Sequence, residues 1–239
     1  MERNVILQGD ALEVMRGWPD GCVDLVVTDP PYNCGLDYGP DHDDKLPDAD
    51  YLAWYAEVCH ELYRVMREGY LYVSCTTRQL WTLRPLWDAA GWTFQTMVIW
   101  YGPNTAGSGH IVRQWMELYE PVMMFLKGKR IPMINGLPNM TTHAVQRIAR
   151  PQSQFTGEQR RYHPAQKPVE LYRRLIARTP GDLVLDPFMG SGTTAIAATK
   201  LGRDYLGIEL NPDYIEIAER RLAEVTGVQL PLPVMAEAY

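Results

Sequence analysis

The chain has 239 residues, of which 46% are hydrophobic and 22% charged, a composition typical of a single globular domain with a sizeable core. It has no apolar run of the roughly 18 residues that a membrane helix needs and no secretory signal, so we expect a cytoplasmic protein with no membrane partner. A bacterial or phage-encoded protein would fit these features, but they do not decide its origin. The cysteines form no Cys-x-x-Cys pair, and the net charge is −6, so we expect no metal and no surface that is basic throughout.

Strands and helices are predicted to alternate along the chain. Short apolar runs predict strands at residues 5–7, 23–28, 70–74, 93–101, 118–126, 183–185 and 205–208. Helical spacing predicts helices at residues 11–16, 49–67, 77–90 with an interruption near Pro85, 168–178, 193–200, and from Pro212 onward with Asn211 as its cap. This alternation predicts an α/β fold whose mainly parallel sheet is covered on both faces. The runs 93–101 and 118–126 predict an antiparallel pair at one edge.

The tetrad Asp29-Pro30-Pro31-Tyr32 directly follows a predicted buried strand. The exocyclic amine of a nucleobase is a poor nucleophile, and hydrogen-bond acceptors that orient its N–H bonds favour attack. Asp29 offers a carboxylate, and Pro30 offers its main-chain carbonyl, in a turn that the prolines fix. Tyr32 offers a ring on which a base extruded from the duplex can stack. We therefore predict that Asp29, Pro30, Pro31 and Tyr32 are catalytic.

A second candidate site follows the strand predicted at 183–185. Gly190 and Gly192 allow a ligand to approach the backbone closely, and Glu209, at the end of the next strand, can hold ribose hydroxyls. The same spacing suits a dinucleotide, so an oxidoreductase that uses a nicotinamide cofactor stays an alternative. Asp186 precedes the glycines and would repel a pyrophosphate but attract the amine of a methionine moiety. The segment thus favours S-adenosylmethionine.

Residues 127–167 concentrate basic side chains and contain a single acid, Glu158. A local basic surface is enough to neutralise phosphates, even on an acidic protein. We predict that this segment binds DNA through Lys129, Arg130, Arg147, Arg150, Arg160 and Arg161. Methylation of cytosine at carbon 5 is excluded, because that chemistry uses a thiolate that usually follows a proline, and the chain has no Pro-Cys pair.

The motifs and their order resemble the beta class of amino-DNA methyltransferases, the DPPY type, in which the catalytic half precedes the donor-binding half. The matching segments cover nearly the whole chain: residues 8–10, 29–32, 163–168, 186–192 and 205–209. The resemblance implies a single domain over residues 1–239, with a catalytic half at 1–126, a short basic target-recognition insert at 128–162 and a donor-binding half at 163–239. It also implies an S-adenosylmethionine-dependent methyltransferase (Rossmann-like) fold, with a mixed seven-stranded sheet, an antiparallel edge hairpin and helices on both faces.

The resemblance also implies which residues contact the methyl donor. These are Asp10, Ala11, Asp29, Gln166, Lys167, Asp186, Phe188, Gly190, Ser191, Gly192, Thr193, Glu209 and Leu210. The reaction expected is methyl transfer from S-adenosylmethionine to the exocyclic N6 of a flipped-out adenine in a specific duplex DNA site, in a restriction-modification or related role. Asp29 resembles the adenine-directed members, and N4 of cytosine is the alternative.

Two questions about partners follow from the sequence. Pairing of two copies of the chain into a homodimer is left open, although members of the family often pair. A non-catalytic DNA-binding subunit of a methyltransferase pair is a further alternative. The presence of Asp29, Tyr32, Asp186 and Glu209 together argues against it, because such a subunit does not need all four.

Overall fold

The structure is a computed structural model, and it describes residues 2–35, 44–104, 117–137, 142–152, 162 and 165–227. The strands in these residues are β1 (Val5–Gln8), β2 (Leu25–Thr28), β3 (Gly69–Ser74), β4 (Thr93–Tyr101), β5 (Tyr119–Lys127), β6 (Val145–Arg147), β7 (Leu183–Asp186) and β8 (Asp204–Glu209). The helices are α1 (Ala11–Arg16), α2 (Asp48–Val65), α3 (Leu80–Ala89), α4 (Val169–Arg178), α5 (Thr193–Thr199) and α6 (Pro212–Thr226).

The strands form one eight-stranded sheet in the order β1-β8-β7-β2-β3-β5-β4-β6. Only β5 runs antiparallel to its neighbours β3 and β4, while the other pairs are parallel. The predicted α/β fold with a mixed sheet is confirmed. The predicted count of seven strands is wrong, because β6 adds an eighth strand beside β4 and the β4–β5 pair is therefore not the edge. Only the central residue of β6 is buried, so its sequence carries no apolar run that would have predicted a strand.

Helices cover both faces of the sheet, as predicted. The central strands β2, β3 and β7 are buried along their whole length, which is typical of parallel strands packed on both sides. Helices α1, α2 and α3 pack on one face around Trp87 and Phe125. Helices α4, α5 and α6 pack on the other face around Trp100 and Tyr172. The two cores hold the carboxyl ends of the parallel strands in fixed positions at one edge of the sheet.

Helices α1 and α6 begin at side-chain caps, and helix α3 contains a proline. Asp10 caps α1, because its Oδ1 accepts the backbone N–H groups of Leu12 and Glu13 at 2.9 and 3.0 Å. Asn211 caps α6 as predicted. The predicted interruption near Pro85 is wrong, because α3 continues through this exposed proline. No helix among the residues placed by the structure is both long and apolar enough to cross a membrane.

Strand β1 lies at the edge of the sheet next to β8, although the two strands are far apart in sequence. Strand β1 pairs with β8, and the Gly9 N–H donates to the Glu209 carbonyl at 3.1 Å. The acidic turn at Asp10 therefore lies next to the end of β8, far in sequence from the donor segment but beside it in the fold. The carboxyl ends of β1, β2, β7 and β8 meet at one edge of the sheet, where open α/β sheets bind their ligands.

Candidate active site

A cavity of about 440 Å³ opens at the carboxyl ends of these four strands. Every residue predicted to contact the methyl donor lines this cavity except Gly192. Asp29 and Pro31 of the tetrad line it, and Pro30 and Tyr32 adjoin them in the chain without being lining residues. The structure therefore brings the two candidate sites of the sequence together in one cavity.

The two glycines of the donor segment do different things. Gly190 has a φ of +51°, and a Cβ atom there would meet nothing within 4 Å, so its backbone faces open space in the cavity. Gly192 has a φ of +82°, and its Cβ would lie 2.7 Å from the Cβ of Ala218 on α6. Gly192 does not line the cavity. The absence of a side chain at Gly192 lets the start of α5 pack against α6. This role is structural, and the sequence motif alone could not distinguish it from contact with a ligand.

Glu209 is held by backbone groups on both sides. Its Oε2 accepts the Gly190 N–H at 2.7 Å, and its Oε1 accepts the Asn211 N–H at 2.9 Å. Burial raises the pKa of Glu209, although these backbone N–H groups oppose the shift. Each carboxylate oxygen keeps a further lone pair, so the side chain can accept two more hydrogen bonds, as a ribose diol would require.

Asp186 is buried at the base of the cavity and is bonded within the protein. Thr28 and Thr194 donate their hydroxyls to its two carboxylate oxygens at 2.7 and 2.5 Å, and the Phe188 N–H donates at 3.1 Å. Burial raises the pKa of Asp186 to about 7, against the effect of these hydrogen bonds. The side chain therefore ties β2, β7 and α5 together. Its attraction for a methionine amine stays a prediction.

Asp29 is paired with a buried lysine. Lys167, whose side chain is 5% exposed, donates from Nζ to Asp29 Oδ2 at 2.7 Å and to the Tyr32 hydroxyl oxygen at 3.1 Å. The Tyr32 hydroxyl donates to Asp29 Oδ1. Burial raises the pKa of Asp29 above its usual range, and Lys167 offsets this only in part. Burial alone would lower the pKa of Lys167, but Asp29 and Glu120 raise it, so the lysine remains charged.

Glu120 at the start of β5 is the second carboxylate beside Lys167. Its Oε2 lies 3.1 Å from Lys167 Nζ, and its Oε1 accepts a hydrogen bond from Arg150 Nη1 at 2.5 Å. Burial alone would raise the pKa of Glu120, but Lys167 and Arg150 hold it below its usual value. Sequence reasoning missed Glu120. The available signal was an acid inside the apolar run predicted as a buried strand.

Side chains from α2 and the loop before α3 hold the backbone of the tetrad. The Tyr51 hydroxyl donates to the Pro31 carbonyl at 3.0 Å, and Gln79 Nε2 donates to the Tyr32 carbonyl at 2.7 Å. Neither side chain bonds to Pro30, whose carbonyl was predicted as the second acceptor. Side chains outside the tetrad therefore hold the backbone of this turn in place.

A sequence profile described as DNA methylase, for the N6/N4 methyltransferases, matches residues 23–220, which is most of the chain. The chain belongs to this family. The type II methyltransferase M.HpaI of Haemophilus parainfluenzae is 32% identical over 234 residues, 91% of this chain and 73% of that protein. The DNA adenine methyltransferase YhdJ of Escherichia coli is 29% identical over 255 residues, 92% of this chain and 83% of that protein.

Solved structures agree with this assignment. The crystal structure of the M1.HpyAVI–SAM complex matches this methylase with a TM-score of 0.69 and 26% identity, over 91% of this chain and 98% of that chain. The cytosine-N4-specific PvuII DNA methyltransferase matches with a TM-score of 0.74 over 95% of this chain and 91% of that chain. At 19% identity, the PvuII enzyme supports the fold alone. The resemblance predicted from the motifs is confirmed.

Of the basic side chains predicted to contact DNA, the four that the structure describes do not form one surface in this methylase. Strand β5 runs away from the cavity, so Lys129 and Arg130 lie at the opposite edge of the sheet, where Arg130 Nη2 donates to Gln95 Oε1 at 2.7 Å. Arg147 is exposed at the end of the edge strand β6, and Arg150 is paired with Glu120. Arg160 and Arg161 lie outside the described residues. The structure thus separates Lys129 and Arg130 from Arg147 and Arg150, and the contact of these side chains with DNA stays a prediction.

Within the ranges described above, no group of three or more His, Cys, Asp or Glu side chains could hold a metal ion. At the cavity, Asp29 is instead paired with Lys167, while Asp186 and Glu209 accept hydrogen bonds from hydroxyl and backbone N–H groups.

Proposed function

We propose that this methylase transfers a methyl group from S-adenosylmethionine to the exocyclic N6 of an adenine in a specific duplex DNA site. The observation that carries the proposal is the shared cavity: Asp29, the candidate acceptor for a base amine, lines the same space as Gly190 and Glu209. Methyl transfer requires donor and acceptor atoms to be held in contact, and a common cavity supplies that proximity.

The residues of the cavity fit S-adenosylmethionine. Gly190 leaves room beside its backbone, and Glu209 has lone pairs for ribose hydroxyls. Phe188 and Trp54, with ring centroids 5.7 Å apart, give an apolar wall suited to the adenine ring of the donor. Asp10 and Leu210 complete this end of the cavity. When bound, the donor supplies a methyl group activated by a positively charged sulfur.

Asp29 and the Pro30 carbonyl would accept the two N–H bonds of the base amine. Positive charge develops on the amine nitrogen as it forms its new bond, and the Asp29 carboxylate stabilises that charge from a fixed position. The raised pKa of Asp29 also suits it to take the proton that the amine must release. Lys167 holds Asp29 at 2.7 Å and keeps the carboxylate oriented.

Tyr32 would stack on the base after it has left the duplex, since enzymes that modify a base must extrude it. The hydroxyl of Tyr32 donates to Asp29, so the residue orients the acceptor as well as offering a ring. Arg147, exposed at the end of the edge strand β6, is our candidate for a phosphate contact.

The choice of adenine rests on Asp29 in the first tetrad position and on relatives such as YhdJ, a DNA adenine methyltransferase. N4 of cytosine is the alternative, because the same acceptors suit its amine. The test is to incubate the enzyme with S-adenosylmethionine and duplex DNA, digest the DNA to nucleosides and identify the modified base by mass. N6-methyladenine is expected. N4-methylcytosine as the sole product would overturn the choice of base, and an unmodified product would overturn the function.

We propose the division of the chain predicted from sequence, except that β1 and Asp10 belong with the donor-binding half. Residues 1–126 would form the catalytic half, 128–162 the target-recognition insert and 163–239 the donor-binding half, but β1 and Asp10 act with the last of these. Parts of the insert also pack on the core: Tyr70 donates its hydroxyl to the Ile131 carbonyl at 2.5 Å. Duplex DNA is the proposed substrate and the cytoplasm the proposed location. Pairing of two copies stays a prediction.

A further inference from the structure

Four side chains of alternating charge lead from the cavity to the segment that follows β6. They are Asp29, Lys167, Glu120 and Arg150, and each lies within ion-pair distance of the next, at 2.7, 3.1 and 2.5 Å. Their side chains are between 5 and 26% exposed, so solvent screens these pairs much less than it screens pairs on the surface. The series therefore acts as one electrostatic unit.

The outer end of this series is fixed by packing and by backbone bonds. The guanidinium of Arg150 lies 4.2 Å above the ring of Trp100, which is fully buried. Asn104 binds the backbone of Arg150 on both sides: its Oδ1 accepts the Arg150 N–H at 2.7 Å, and its Nδ2 donates to the Arg150 carbonyl at 3.0 Å. An arginine held in this way has little freedom to reach a DNA phosphate. Its geometry suits it to hold Glu120.

Glu120 and Asp29 both interact with the positive charge of Lys167, so Glu120 affects how fully Lys167 neutralises Asp29. With two carboxylates beside it, the ammonium neutralises each of them only in part, so Asp29 keeps more of its negative charge toward the cavity. Without the charge of Glu120, Lys167 would neutralise Asp29 more fully, and the positive charge of Arg150 would be left unbalanced. A base amine that becomes positive during the reaction would then be stabilised less.

We propose that Glu120 and Arg150 are positioning residues of this active site, which act on the reacting amine through Lys167 and Asp29. The inference rests on the proposed function, and it assigns Arg150 to the chemical step in place of the DNA contact expected from sequence. Neither residue lines the cavity, so neither has to touch donor or base.

The first test is Glu120→Gln, which keeps the shape of the side chain and removes its charge. Methyl transfer is measured in a single turnover with saturating DNA and S-adenosylmethionine. We expect the rate to fall about tenfold, less than the hundredfold or more lost when a group that touches the reacting atoms is removed. The dissociation constant of the donor should stay within about twofold. A merely structural role would instead lower the melting temperature and weaken donor binding together.

The second test separates the two roles of Arg150. Arg150→Gln removes the side chain that holds Glu120 beside Lys167, so it should slow the single-turnover rate at saturating DNA while the salt dependence of DNA binding stays as in the wild type. Arg147→Gln should lower the slope of log K against log salt by about one, because Arg147 is the candidate phosphate contact. If Glu120→Gln does not fold, this comparison still tests the inference. The inference would be overturned if Arg150→Gln transferred the methyl group as fast as the wild type and had a reduced salt slope. Arg150 would then contact DNA, as predicted from sequence.

The matched control is Glu61→Gln, which removes a glutamate of similar exposure from an ion pair with Arg64 on α2, away from the cavity. Its transfer rate should match the wild type. An active wild type with an equally fast Glu120→Gln variant would overturn this inference alone. A wild type that transfers no methyl group to DNA would overturn the proposed function and this inference with it.

Discussion

Asp29→Ala tests the residue on which the proposed chemistry depends most. The change removes one of two predicted acceptors for the base amine, together with the charge nearest to it. Loss of one preorganised polar contact at a reacting group costs about 3 to 4 kcal/mol, so we expect turnover to fall about 100-fold to 1,000-fold. Lys167 loses its partner at 2.7 Å but keeps Glu120 at 3.1 Å. The free energy of unfolding should therefore fall by about 1 to 3 kcal/mol, less than for a buried ion left without any partner.

The assay follows labelled methyl groups from S-adenosylmethionine into duplex DNA, with the melting temperature recorded for each variant. Asp20→Ala is the control, because it removes an exposed aspartate that pairs with Arg64 far from the cavity. The control should keep wild-type turnover. A folded Asp29→Ala protein with more than about a tenth of wild-type turnover would refute the catalytic assignment, since the loss would then be under about 1.4 kcal/mol.

Three further predictions follow from the site. Tyr32→Phe should slow methyl transfer less than Tyr32→Ala, because the ring is kept and only the hydroxyl bond to Asp29 is lost; equal losses would contradict stacking. Gly190→Ala should weaken donor binding measured by calorimetry, whereas Gly192→Ala should mainly lower the melting temperature, because its Cβ would meet α6 at 2.7 Å. The raised pKa of Asp186, about 7, means that its ionisation opposes folding: the wild type should lose stability relative to Asp186→Asn as the pH rises from about 4 to 7, by up to about 4 kcal/mol. A constant difference across urea titrations at these pH values would contradict that shift.

Local sequence signals predicted the strand ends at which the candidate site residues lie. The tetrad and the donor segment each follow a short apolar strand, and a strand end in a parallel sheet has a defined place. Helix α1 was predicted over the residues that it occupies, and Asn211 caps α6 because its side chain and Pro212 fix that start locally. These features depend on neighbours in sequence, which is why sequence could predict them.

The features that sequence could not predict depend on contacts between distant residues. Glu120 and Lys167 meet because β5 starts at the edge where the parallel strands end. The same reversal carries Lys129 and Arg130 to the opposite edge, so a basic run in sequence did not become a basic surface. Strand β6 has three residues and one buried side chain, and it exists only because β4 lies beside it.

The central claim is that the cavity at Asp29 methylates an amino group in DNA. The most direct measurement is to express the chain in a host that lacks DNA methylation and to sequence its genome with detection of modified bases, beside a host that expresses Asp29→Ala. The account predicts N6-methyladenine within one recurring sequence in the first host and none in the second. A genome without any modified motif, or the same motif modified by Asp29→Ala, would contradict it.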